Sequence, residues 1–144
     1  MQIANEHSSP HTALVAGLYA AVDAMNASDI VSYLTEDVTF RLGNFDPVVG
    51  REPVHQANEA FFQTISAMRH TIAGVWSSGN TVFCDGTVHF TRKDYSEHEV
   101  PFATRLGLQG SKVVDYVVYV DISELYPCEK TGTIVDPSRA RSKV

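Results

Sequence analysis

The chain has little cysteine, little tryptophan and little positive charge. Its two cysteines, Cys84 and Cys128, stand among 144 residues. A pair so placed is no disulfide framework, so reduced thiols in the cytoplasm are expected. Lys and Arg total 11 against 17 Asp and Glu, a net charge of −6. The basic footprint that nucleic acid requires is therefore missing, and no nucleic-acid partner is expected. No apolar run reaches the length of a membrane span, so no membrane partner is expected either. The first residues, MQIANEHSSPH, carry neither a basic region nor an apolar core, so a secretory signal is not expected there. His55, His89 and His98 show no metal-ligand spacing with one another, and no CxxC occurs. A phosphate-binding glycine loop, a dinucleotide fingerprint and a nucleophile elbow are also absent. The expectation is no metal and no cofactor.

What is present is a globular composition, 44% apolar and 19% charged, at a length suited to one domain. The most apolar stretch is Lys112 to Asp121, KVVDYVVYVD, in which Val and Tyr dominate. Such a strand needs cover on both faces. Ser9-Pro10 reads as the start of a first helix, with Leu14, Leu18, Val22 and Met25 at helical spacing. Ser28 reads as the cap of a short second helix through Ile30, Val31 and Leu34. Val38 to Leu42 reads as a strand. Gly50 and Pro53 open a third helix whose stripe is Val54, Ala57, Phe61, Ile65 and Met68. Four strands follow, His70–Ser77, Thr81–Arg92, Glu99–Leu108 and Lys112–Asp121, joined by short turns and so antiparallel. Gly86 inside a strand predicts a bend or bulge and some open space. The pattern is α+β: three helices, then a curved antiparallel sheet enclosing an apolar pocket. Residues 1–10 read as an arm, 11–126 as the domain and 127–144 as an extension.

Leu18-Tyr19-Ala20-Ala21, Glu36-Asp37-Val38-Thr39-Phe40, Val49-Gly50-Arg51-Glu52 and the last strand resemble the SnoaL-like families of the nuclear transport factor 2 superfamily. The resemblance implies a cone-shaped α+β domain that hosts polyketide cyclases, ketosteroid isomerases, limonene-epoxide hydrolases and plain binding modules. The epoxide hydrolases' polar set falls on Phe40, Leu42, Gly86, Val88 and Val118, so that mechanism is not expected. The isomerases' base falls on Leu42 and their phenol near Leu18. The cyclases' Asp on the last strand corresponds only to Asp121. The resemblance also implies a homodimer through the outer sheet face.

Alternation along the strands gives the pocket its sides. With Val118 inward, Val114, Tyr116, Val120, Cys84, Val88, Phe90, Phe102 and Thr104 follow it. Asp85, His89, Arg105, Asp115 and Tyr119 face outward. Asp121 does too, unless a bulge turns it in. The expected substrate-binding residues are Phe40, Leu42, Asn44, Asp46, Trp76, Val88, Phe90, Phe102 and Val118. The expected catalytic residues are Asp121, a carboxyl whose pKa an apolar cavity would raise, His70 as a base that titrates near neutrality, and Tyr116 as a donor to a developing oxyanion. The leading expectation is cofactor-free proton transfer on a hydrophobic polyketide- or terpenoid-like metabolite: cyclisation, isomerisation or dehydration. The alternative is a non-catalytic domain for hydrophobic-ligand binding or dimeric assembly.

Overall fold

The computed structural model describes residues 9–126, together with the backbone of residues 2–3, 134–136 and 141–143. In chain order the elements are β1 (Gln2–Ile3), α1 (Thr12–Asp23), α2 (Ala27–Val31), β2 (Leu34–Leu42), β3 (Val48–Val49), α3 (Arg51–Phe62), β4 (Ile65–Ser78), β5 (Thr81–Arg92), β6 (Glu97–Gln109), β7 (Lys112–Val120), β8 (Ile134–Asp136) and β9 (Arg141–Lys143). Seven strands form one sheet in the order β1-β4-β5-β6-β7-β2-β3, and β8 pairs with β9 separately. Strands β4 to β7 are antiparallel neighbours, as their short turns require. The sheet as a whole is mixed, however, because β2 runs parallel to β7 and β1 parallel to β4. Strand β2 reaches β7 only after the long excursion through α3 and the β4–β6 meander, and a long crossover permits a parallel partner. Cys128 lies outside the described residues.

Four element boundaries differ from the sequence reading, each for a local reason. Helix α1 begins at Thr12, with His11 in the cap position, while Ser9 organises the preceding turn through bonds from His11 N–H and Thr12 Oγ1 at 3.1 Å each. Asn26 rather than Ser28 caps α2, its side chain accepting from the Asp29 N–H at 3.1 Å. Leu34 keeps helical spacing from Ile30 yet opens β2, opposite Val113. Likewise Ile65 and Met68 continue the α3 stripe in sequence but are the first inward residues of β4.

Register shifts occur in β4, between β2 and β7 and between β6 and β7, and two of them bear on the candidate site. In β4, Ile72 lies opposite Gly86 and Gly74 opposite Asp85, so Ala73 is the extra residue. A Cβ on Gly86 would stand 1.8 Å from the Thr71 carbonyl oxygen. The expected open space at Gly86 is therefore filled by the β4 backbone. Before the bulge Met68, His70 and Ile72 point inward; after it Val75 does, and Trp76 points outward at 47% exposure. The indole lies over Gly74, whose Cβ would be 2.4 Å from Trp76 Cη2. The second bulge falls where Gly107 faces Asp115 and Leu108 faces Val113. It buries Val113 instead of Val114 and leaves Tyr116 and Val118 in phase.

Helix α1 lies on the concave face, burying Val15, Leu18, Tyr19 and Val22. Each large apolar side chain so buried contributes roughly 1.5–3 kcal/mol. The segment after β7 closes one end of the cone with Ile122 and Leu125. Arg92 holds it there, donating from Nε to the Leu125 carbonyl at 2.7 Å and from Nη2 to the Glu124 carbonyl at 2.9 Å. Gly86→Ala should lower unfolding free energy in urea by about 1–3 kcal/mol, because the β4 backbone has to move aside. A wild-type midpoint in that variant would show that the bulge yields without cost.

Candidate functional site

Tyr19 and Asp23 stand four residues apart on α1, on the same face of the helix. That face meets β4, and Asp23, the last residue of α1, reaches His70. The imidazole Nδ1–H donates to Asp23 Oδ1 at 2.6 Å, and the His70 backbone N–H donates to both carboxylate oxygens, at 3.0 and 3.2 Å. Burial pushes the Asp23 carboxyl up, but the His70 side-chain and backbone bonds outweigh it, and the group ends below its ordinary value. An ionised carboxylate only accepts, so Nδ1 carries a proton, and Nε2 is the ring nitrogen outside the pair. The ring is held between Tyr19, at 4.6 Å between centroids, and Phe102, at 5.0 Å and edge-on.

The polar set continues inward. Tyr19 Oη and Thr104 Oγ1 share a hydrogen bond at 2.5 Å, and both residues are sealed from solvent. Tyr116 approaches the Tyr19 hydroxyl from β7. Burial raises the pKa of both phenols well above the ordinary tyrosine range, so they remain protonated donors. Burial likewise pushes the Cys84 thiol up to about 12, against a smaller opposing effect of its hydrogen bond to Thr104. Cys84 is thus an unreactive core residue. Asp23, Tyr19 and Thr104 were absent from the sequence-based site. The signal that points to Tyr19 and Asp23 is their i, i+4 spacing on the buried side of α1. For Thr104 the only signal is strand alternation, which places it inward.

A cavity of about 320 Å³ opens between α3, β2 and the turn after β2. Phe40, Leu42, Phe45, Val48, Ala57 and Phe61 give it apolar walls, with Asn58 inside and Asp46 and Gln56 at the rim. Phe40 connects this cavity to the buried set, since its ring packs edge-on against Tyr116 at 5.0 Å between centroids. Of the residues named from sequence for substrate binding, Phe40, Leu42 and Asp46 line this cavity together. Asn44 does not join them, because it sits at the tip of the turn facing solvent. Val88, Phe90 and Val118 are core packing rather than walls of this cavity, at 2%, 3% and 9% exposure. Phe102 packs on His70 and Tyr19 instead.

Asp121 is the main departure. No register shift occurs near the end of β7, so alternation carries its side chain outward. It is exposed, accepts from the Ser123 N–H at 2.9 Å, and that bond holds it below the ordinary aspartate value, opposite to the shift a cavity acid needs. With Asp85, His98 and Tyr119 it borders an open cleft of about 670 Å³ at the end of β7, away from His70 and Tyr116. Among the described residues no three His, Cys, Asp or Glu side chains are grouped to hold a metal ion, and no helix is long and apolar enough to cross a membrane. Because the Asp23 carboxyl is held low, it stabilises the fold above the unfolded value of about 3.9 and loses that contribution as pH falls through its lower folded value. Acidification below about pH 4 should therefore destabilise the wild type more steeply than Asp23→Asn in urea melts. Parallel acid slopes would show that the contact with His70 contributes no stability.

The same fold occurs in solved structures of low sequence identity. A hypothetical protein with a ketosteroid isomerase-like fold from Catenulispora acidiphila, in complex with trimethylamine, is 20% identical, with a TM-score of 0.73 over 81% of this chain and 89% of that one. An NTF2-like protein of unknown function from Burkholderia pseudomallei is 18% identical, with a TM-score of 0.72 over 81% and 95%. A protein from Jannaschia named as a SnoaL-like polyketide cyclase is 14% identical, with a TM-score of 0.71 over 84% and 94%. No curated protein matches the chain. The family model of the SnoaL-like domain matches residues 15–116, which span α1 through Tyr116 of β7. With the NTF2/ketosteroid isomerase-like fold and that match, the chain belongs to the SnoaL-like domain family.

Proposed function

We propose that this protein is a cofactor-free enzyme that moves protons on a hydrophobic small metabolite of polyketide or terpenoid type. The observation that carries the proposal is the Asp23–His70 pair at 2.6 Å, set beside Tyr19, Thr104 and Tyr116 in a mainly apolar interior. Burying such a set costs stability that aliphatic residues would not cost. His70 Nε2 takes a proton from a carbon next to a carbonyl. The C–H electron pair becomes the new C=C bond, and the carbonyl π pair moves to oxygen. Tyr116 or Tyr19 donates a hydrogen bond to that oxygen. The imidazolium formed faces the Asp23 carboxylate, which favours it. Return of the proton to another carbon isomerises the substrate. Attack of the enolate carbon on a second carbonyl cyclises it: the new C–C bond forms, that carbonyl's π pair moves to its oxygen, and the oxygen takes the proton back from the His70 imidazolium. Departure of a β-hydroxyl, with the proton returned to it as water, dehydrates it. The substrate enters by the cavity under α3, and rotation of Phe40 opens the way to Tyr116.

A second reading has its own support. Tyr116 and His70 are only 3% and 4% exposed and do not line the cavity, which supports a binding module that carries out no reaction. The two readings differ in one measurement. 2-Tetralone in D2O should exchange its α-hydrogens faster with wild-type protein than in buffer. His70→Gln should lose that acceleration while keeping its circular dichroism spectrum and a cooperative melting transition at a lower temperature, and Asp23→Asn should lose most of it. No acceleration by the wild type, with a ligand copurifying unchanged, would favour the binding module.

Trp76, Phe83 and Tyr119 are 47%, 44% and 53% exposed on the outer sheet face, around the Arg105–Asp115 ion pair at 2.8 Å. This mixture suits a protein contact, and we propose that two copies meet there. Sedimentation velocity at micromolar concentration should give a dimer for the wild type and a monomer for Phe83→Glu. A monomeric wild type would remove the proposal.

A further inference from the structure

Helix α3 turns an apolar stripe of Val54, Ala57 and Phe61 toward β2 and places one amide within it. Asn58 is 9% exposed, and its side chain lines the cavity of about 320 Å³. Asn is a poor choice for a buried helix position, because it loses water there and stabilises the helix little. Its Nδ2 donates to the Val54 carbonyl at 2.9 Å, one turn back. That bond fixes which way round the amide lies, since the flipped amide would set two acceptors against each other. The planar group then holds Oδ1 on the side away from Val54. Oδ1 makes no hydrogen bond among the described residues, and it is not one of their sealed, unpartnered atoms. It is an acceptor with open space before it, in a cavity whose deeper walls are Phe40, Leu42 and Phe61.

We propose that Asn58 is a specificity-determining residue: its Oδ1 accepts a hydrogen bond from a hydroxyl group of a compact, mainly apolar ligand. The volume lies at the lower end of small-molecule sites, which suits one or two rings and not a larger polycycle. Apolar walls give affinity for the ring system, and the single oriented acceptor selects for a donor at one of its edges. This inference rests on the reading that the cavity under α3 receives the substrate.

The test compares 2-naphthol with 2-methylnaphthalene, which exchanges the hydroxyl for a methyl of similar size. Binding is followed by NMR titration of the wild type and of Asn58→Leu, with the Phe40 and Phe61 resonances reporting the cavity. Where Asn58→Leu does not fold, Asn58→Ala removes the same acceptor. The wild type should prefer 2-naphthol by a ratio at least about tenfold larger than the variant does. Equal ratios in the two proteins, with Phe40 and Phe61 shifting in both, would overturn the role of Asn58 and leave the cavity as the binding site. Absence of shifts at Phe40 and Phe61 with either compound would overturn the cavity and the role of Asn58 together. Failure of the exchange chemistry at His70 would leave both binding outcomes unaffected.

Discussion

The contact between Asp23 and His70 fixes how α1 sits on the sheet. A carboxylate at a helix C-terminus is in an unfavourable place, because the last carbonyls already carry partial negative charge. Withdrawing it from water adds to the cost. Three bonds offset both: the ring Nδ1–H and the two-pronged contact from the His70 backbone N–H. The backbone donor belongs to β4 itself, so the carboxylate binds the sheet as well as a side chain. This sets the depth and roll of α1, and with them the position of Tyr19 one turn earlier over Thr104. Removing one partner would leave the other buried and unsatisfied, which costs more than the pair contributes. The same contact thus serves as anchor and as the element that orients the imidazole.

Strand phase decides which side chains can join that anchor, and it was legible wherever the ladder is regular. Cys84, Val88 and Phe90, then Phe102 and Thr104, then Tyr116 and Val118 all lie inward as alternation predicts. Prediction failed where a bulge adds a residue. Ala73 reverses the phase of β4 beyond Ile72, and this alone carries Trp76 from the inside to the outside. Gly86 was recognisable as a site of irregularity, but its purpose was not. A missing side chain reads equally as room or as close backbone approach, and here the Thr71 carbonyl takes the space. Helix ends are hidden in the sequence for a related reason. Leu34, Ile65 and Met68 keep helical spacing after their helices have stopped, and periodicity cannot tell a helix's last turn from the next strand's first inward residues. Asn58 escaped notice because a polar residue in an apolar stripe is read as an interruption of the pattern.

The cavity and the buried polar set are neighbours with Phe40 between them in function: it lines one and packs on Tyr116 in the other. In the proposed function this arrangement separates two physical tasks. Recognition would use the surface opening, with its apolar walls and one amide. Proton transfer needs a dry interior, where a hydrogen bond to a developing charge is stronger than in water. The raised pKa values of Tyr19 and Tyr116 follow from that dryness and keep the phenols as donors across the neutral range.

Asp121 and Asp23 show why the direction of a pKa shift does not by itself locate a site. Both carboxyls lie below the ordinary aspartate value. Asp121 reaches that state in solvent, by accepting the Ser123 N–H that follows it in the chain. Its charge is satisfied locally and directs nothing else. Asp23 reaches it against burial, by accepting from a residue 47 positions away. The bonds that keep it ionised are therefore the same bonds that hold a second titratable group in one tautomer, against an aromatic ring, inside the fold. What separates a solvated strand end from a candidate catalytic carboxylate is which group supplies the lowering bond and what that bond constrains. From sequence alone the two look alike, because the partner of Asp23 lies on β4, 47 residues further along the chain.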